Sequence, residues 1–309
     1  MSKKFRLVTR SDMDGLVCAV ILKQLNLIDE IKFVHPKDMQ DGTVTITEND
    51  IITNLPYVAC ANLVFDHHES ESIRNGEADN YIIIPDAPSA ARVVYDHYTK
   101  EGHDLSMIRE DMMVAVDKAD AAQFSEEDIL NPKGWDLLSF LMDSRTGLGR
   151  FREFRIANYE LMMNLIDYCH DHGIDDIMKL PDVAERVELF NRYDKEFRDQ
   201  LLRCTTVHKN LVVLDLRDEE TIFPGNRFMI YALFPQCNIS IHVIWGFKNQ
   251  NTVFATGKSI IDRSSKTNVG ELMLKNGGGG HGAAGTCQID NDKCEVVLQE
   301  LITAINSDG

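Results

Sequence analysis

Short apolar blocks and polar breaks alternate along the first third of the chain. Residues 5–9, 31–34, 50–54, 63–65 and 81–84 predict strands, the last stopped by Pro85. Residues 16–22 are apolar without a break and predict a buried helix ending near Asn26. Further helices are expected at about 88–100 and 106–118. Strands alternating with helices predict a mostly parallel sheet covered on both faces.

The period then changes. From 151 to 170 and from 182 to 209, apolar residues recur every three or four positions, as at Val183, Val187, Phe190, Phe197 and Leu201. Two helices are expected, the second long enough to connect two domains. In the last hundred residues, 211–214, 229–233, 239–243 and 253–255 predict closely spaced strands. A helix over 268–276 has Asn268 as its N-cap, and another over 295–306 closes the chain. The expected class is α/β. An N-terminal sheet domain with a helical extension spans 1–190, a connecting helix 191–209, and a smaller α+β domain 210–309.

Composition narrows the function. The chain has 309 residues, no apolar run approaching a membrane span, and no signal-peptide core after its first residues. Seven scattered cysteines without a Cys-x-x-Cys pair point to a reducing cytoplasm rather than a disulfide framework or zinc knuckle. A net charge of −17 disfavours long duplex nucleic acid as a partner, because phosphate neutralisation needs a basic footprint. A short phosphorylated ligand stays open, since a local metal or Arg site can hold it. A homo-oligomer also stays open.

Three stretches carry chemistry. Asp12 and Asp14 follow the first strand and precede the first helix, where two hard carboxylates suit Mg2+ or Mn2+, although Asp at this point is also a common N-cap. Asp66-His67-His68 ends the fourth strand, at the sheet lip where ligands of open parallel sheets bind. Neighbouring residues of an extended chain point apart, so one histidine is expected to face a metal and the other to support it or meet the substrate. Asp117 and Asp120 follow a predicted helix, and either could reach the lip. Near the C-terminus, Gly277 to Gly280, then His281, cannot be explained by helix or strand propensity. Such a run lets backbone N–H groups converge on an anion, and Arg263 could add a phosphate-binding fork.

Asp-x-Asp, then Asp-His-His, then Gly-Gly-Gly-His-x-Ala-Ala-Gly resembles the DHH phosphoesterases with their DHH-associated domain, over nearly the whole chain. The resemblance implies an enzyme that hydrolyses a small phosphorylated substrate: a short oligonucleotide, a nucleotide or a polyphosphate end. It implies Mn2+ or Mg2+, one or two ions, held by Asp12, Asp14, His67 and Asp120, with Asp117 as the alternative to Asp120. Asp66 would orient the histidines, with His68 as the catalytic neighbour. Gly278, Gly279, Gly280 and His281 would grip the substrate, preceded by Arg263. The cation would acidify a water for in-line attack, and closure of the second domain would exclude solvent.

Two positions depart from the family pattern. Arg10 stands where the family has His, and Asn54 where it has a metal-bridging Asp; Asp50 is a weaker substitute. A guanidinium cannot ligate a metal. It can replace a cation's charge, stabilise charge on the phosphoryl oxygens or bind a substrate phosphate. One metal, or an asymmetric pair, is therefore expected. The rival class is a non-catalytic nucleotide- or phosphate-binding protein on the same scaffold. A processive single-strand nuclease fits poorly with the acidic charge.

Overall fold

The computed structural model describes residues 3–68, 71 and 75–309. The chain forms two compact units, one of residues 1–123 and 133–189, the other of 124–132 and 190–309.

The first unit is built on five parallel strands: β1 (Phe5–Thr9), β2 (Ile28–Phe33), β3 (Asp50–Thr53), β4 (Leu63–Asp66) and β5 (Tyr81–Ile83), in the order β2-β1-β3-β4-β5. The order reverses direction between β1 and β3. That places a switch point beyond their C-terminal ends, where the loops part and a ligand can enter. Helix α1 (Met13–Gln24) is buried continuously from Met13 to Leu22, as its unbroken apolar run requires. It packs against α3 (Ala90–Lys100), α4 (Glu110–Asp120) and α7 (Asn158–Asp171). Val8, Ile52, Leu55, Val64 and Tyr81 form a core cluster with Val34 and Met39, the latter on the short helix α2 (Pro36–Gln40). Asp50 lies at the N-terminal end of β3, paired with Arg6 at 2.6 Å and accepting the Thr47 N–H. It stands at the wrong end of the sheet to serve the lip.

Two predicted spans of this region are corrected. Residues 151–157 are not helical. The Ile156 carbonyl accepts from Arg186 and the Arg155 N–H donates to Glu185, so side chains take the bonds a helix would make. Residues 182–209 form not one helix but two, α9 (Pro181–Arg192) and α10 (Asp194–Arg203), interrupted at Tyr193. The chain then becomes β6 (Thr205–His208), because Thr205, Thr206 and Val207 are β-branched and find a partner strand. Helices α5 (Glu126–Leu130), α6 (Gly134–Met142) and α8 (Ile174–Ile177), and two short 3-10 turns, complete the middle of the chain.

The second unit carries a mixed sheet in the order β10-β11-β9-β8-β7-β6, with β7 (Leu211–Asp215), β8 (Ile239–Trp245), β9 (Thr252–Lys258), β10 (Gly279–His281) and β11 (Ala284–Ile289). Only the β7–β8 pair is parallel. Leu211, Val213, Ile239, Ile241 and Phe254 face helices α12 (Val269–Lys275) and α13 (Cys294–Asp308) across one core. Residues 229–233, expected as a strand, form helix α11 (Met229–Leu233). A five-residue apolar run has no period that separates a buried strand from a buried helix.

Candidate functional site

The sheet lip collects the acidic and imidazole side chains. Asp14, in the first turn of α1, is 2% exposed, and its carboxylate accepts the N–H groups of Ala90 at 3.0 Å and Ala91 at 2.7 Å. The N-terminus of α3 therefore supports its charge. Ala90 and Ala91, both fully buried, let the backbone approach this closely. Burial, then the charges of Asp120 and Asp12, hold the Asp14 carboxyl well above the usual carboxylate range.

The two histidine rings do not point apart as extended backbone would place them; they pack edge to face with centroids 4.6 Å apart, and it is their hydrogen-bond partners that differ. His67 directs Nδ1 at the Ala87 carbonyl, 3.1 Å away, which places the proton on Nδ1 and leaves the Nε2 lone pair facing inward. Nε2 lies 2.9 Å from Asp120 Oδ2. Yet it is buried and makes no hydrogen bond of acceptable geometry. Burial alone would lower the imidazole pKa, but Asp120 and then Asp14 outweigh it and carry it up to about 9. His68 turns outward and pairs Nδ1 with Asp66 Oδ1 at 2.7 Å. Asp66 is fully buried and also accepts the His67 N–H at 2.8 Å, so one carboxylate fixes both the chain turn and the His68 ring.

Asp14, His67 and Asp120 each offer one ligand atom within 4.8 Å of the others. A lone pair aimed at two carboxylates is a repulsive arrangement that a proton or a cation relieves. Hard oxygens with one imidazole suit Mn2+ or Mg2+. Asp117, the alternative to Asp120, does not join this group. Its oxygens are taken by Ser89 Oγ at 2.7 Å and Arg92 Nε at 3.0 Å.

Asp12 also lies apart. It is the N-cap of α1, accepting the Gly15 N–H at 3.0 Å on Oδ1, with Arg10 Nε 3.1 Å from Oδ2. Burial raises its pKa, and Arg10 and the Gly15 amide oppose the rise. Asn54 is buried with φ +54, and its Nδ2 faces Asp12 Oδ1 at 3.5 Å. Beside this group opens a cavity of about 560 Å3 lined by Arg10, Asp12, Phe33, Arg145, Tyr159 and Arg186, among others. Arg145 and the aromatic wall were not anticipated, because the residues lie far apart in sequence and no local motif joins them. The Ala90–Ala91 cradle had a faint signal in the small residues that follow Pro88-Ser89.

In the second unit the glycine run does not curl into a nest of converging amides. Gly279–His281 is the exposed edge strand β10, paired to β11. The reason is steric. A Cβ on Gly278 would lie 2.0 Å from the Thr286 carbonyl oxygen, on Gly280 2.3 Å from that of Ala284, and on Gly285 2.7 Å from that of Gly279. Gly279 and Gly282 meet nothing within 4 Å. Their glycine character has no packing reason within the described residues. His281 is exposed, its Nδ1 accepting the Ala283 N–H at 3.3 Å, and Arg263 lies on the exposed loop after β9.

No protein-family model matches the chain, and no curated protein matches it. Solved structures do. The chain is 62% identical to the pGpG-specific phosphodiesterase PggH from Vibrio cholerae, with a TM-score of 0.86 over 99% of this chain and 100% of that one. RecJ from Thermus thermophilus shares the fold in complexes with Mg2+ (TM-score 0.54, 13% identity) and with Mn2+ (TM-score 0.51, 12% identity). In both, 99% of this chain is covered and about half of the longer RecJ chain.

Proposed function

The chain belongs to the DHH phosphoesterases and is a hydrolase of small phosphorylated substrates; on that premise we propose that it cleaves the phosphodiester of pGpG to release two GMP. The observation that carries this reading is the 62% identity, end to end, to a pGpG-specific phosphodiesterase. The same likeness supports a dinucleotide over a polyphosphate end, and turnover over mere binding.

Asp14, His67 and Asp120 are the residues that would hold the cation, and Mn2+ fits their donor set. A divalent cation there supplies Lewis acidity to a phosphoryl oxygen and an acidified water. The chain's own residues do the rest. The amides of Ala90 and Ala91 stabilise Asp14 as the anion, and the Ala87 carbonyl holds His67 in the tautomer that presents Nε2. Asp66 fixes the His68 ring with its Nε2 directed away from the buried carboxylate. In this reading His68 gives a proton to the departing ribose oxygen as the general acid. The Phe33–Tyr159 ring pair, with centroids 5.8 Å apart on the cavity wall, offers a stacking face for a purine. Gly279, with open space where a side chain would be, supports close approach of substrate to the β10 backbone. The seven cysteines are free, five of them buried, which supports a reducing compartment.

The test is purified protein with Mn2+ and, in parallel, pGpG, pApA, a guanosine trinucleotide, cyclic di-GMP and polyphosphate. GMP release from pGpG, at a kcat/KM well above every other arm, is expected. Intact pGpG, or a faster arm among the others, overturns the reading.

A further inference from the structure

We infer that this site takes one divalent cation, and that Arg10, clamped by Asp12, is its second positive centre toward the phosphoryl group. The inference rests on the phosphodiester reading above and concerns how charge is distributed within that same site.

The side chains at the lip fall into two halves of different chemistry. Asp14, His67 and Asp120 converge with inward donor atoms, and neither a lysine nor an arginine belongs to the group. In the other half both oxygens of Asp12 are already committed. Oδ2 faces the Arg10 guanidinium at 3.1 Å, and Oδ1 accepts the Gly15 N–H at 3.0 Å with the Asn54 amide behind it at 3.5 Å. A cation coordinated by Asp12 would meet a guanidinium that stays protonated at every accessible pH. Asn54 adds no charge to draw it in: its amide is neutral and its Nδ2 points at Asp12.

Charge balance gives the same answer. Asp12, Asp14 and Asp120 are three carboxylates, and Arg10 is one cation. With His67 neutral as a ligand, two negative charges are left, and Arg145, whose charge also acts on Asp12, offsets part of them, so one divalent ion suffices to neutralise the group. A second ion would leave a half-buried site doubly positive before substrate arrives, at a cost that low local dielectric makes large. Arg10 is suited to the vacated role. Its side chain lines the cavity and is about a third exposed, so its head is within reach of a ligand. Its planar N–H fork matches two phosphoryl oxygens, as an ammonium does not. Asp12 is thus a positioning residue for Arg10.

The decisive measurement needs no substrate. Full-length protein freed of metal is titrated with Mn2+, and bound ion is counted by calorimetry and by elemental analysis after dialysis. One ion per chain is expected for the wild type. The double change Arg10→His with Asn54→Asp makes the site more negative by two charges and should raise the count to two. Arg10→Gln should keep one ion while kcat on pGpG falls about 10²–10³-fold, the loss typical of one preorganised charge donor. Arg10→Lys should recover part of that loss. Two ions on the wild type, none, or wild-type kcat in Arg10→Gln overturns the inference. If wild-type protein leaves pGpG intact, the substrate reading fails separately, and the ion count still decides this one.

Discussion

His67 and His68 are neighbours in sequence with opposite tasks, and the division comes from their partners. A backbone carbonyl holds one ring so that its lone pair faces carboxylates, and a buried aspartate holds the other so that it faces out. His68→Asn should therefore lower kcat about 10²–10⁴-fold while the rise in Tm on adding Mn2+ is retained. Loss of that rise would move His68 into the cation site. Asp120 and Asp117 make a matched pair of tests. Asp120→Asn should abolish the Mn2+-dependent rise in Tm. Asp117→Asn should leave the rise intact and cost about 1–3 kcal/mol in denaturant unfolding, because Ser89 and the Arg92 guanidinium lose a charged partner. At this scale the sequence was informative about residue type and poor about use. Asp12 and Asp14 read as equals, yet the fold spends Asp12 on a helix cap and a guanidinium and Asp14 on two amides.

Whole elements were most legible where the pattern was longest. The unbroken run at 16–22 could only be a buried element, and the five strands of the first sheet follow their apolar blocks. Legibility failed where a run was too short to show a period, as at 229–233, or where side chains captured the backbone, as at 151–157. The glycine run is instructive because its members differ. Gly278→Ala drives a methyl group into the β11 backbone and should destabilise by about 1–3 kcal/mol, as overpacking does. Gly279→Ala meets nothing, so its Tm should stay at the wild-type value while KM for pGpG rises. An unchanged KM in Gly279→Ala would remove β10 from the substrate site. Sequence marks such a run as unusual; only the pairing of β10 with β11 shows which glycines the fold itself consumes.

For the molecule as a whole, stability has a built-in acid limit in the second unit. His242, on β8, is pushed down to about 4 by burial and then by the nearby Arg227. A group depressed in the folded state contributes stability that is present above its unfolded pKa near 6.5 and is lost as pH falls toward 4. Chemical denaturation from pH 7 to 4 should show a decline of roughly 3 kcal/mol from this one residue. The variant His242→Asn should remove that part of the slope, and an unaltered slope would place the acid limit elsewhere. No helix among the described residues is long and apolar enough to cross a membrane. The chain by itself determined the sequence of elements, the acidic balance and the three chemical stretches, because periodicity, charge and rare residue runs are local properties. The tertiary structure decided which carboxylate meets which histidine, that Arg10 closes on Asp12, and that residues scattered from Phe33 to Arg186 share one cavity. Those are long-range outcomes. Strand order β2-β1-β3-β4-β5 brings loops some forty to a hundred residues apart to one sheet edge, and no local pattern records which side chains will face one another there.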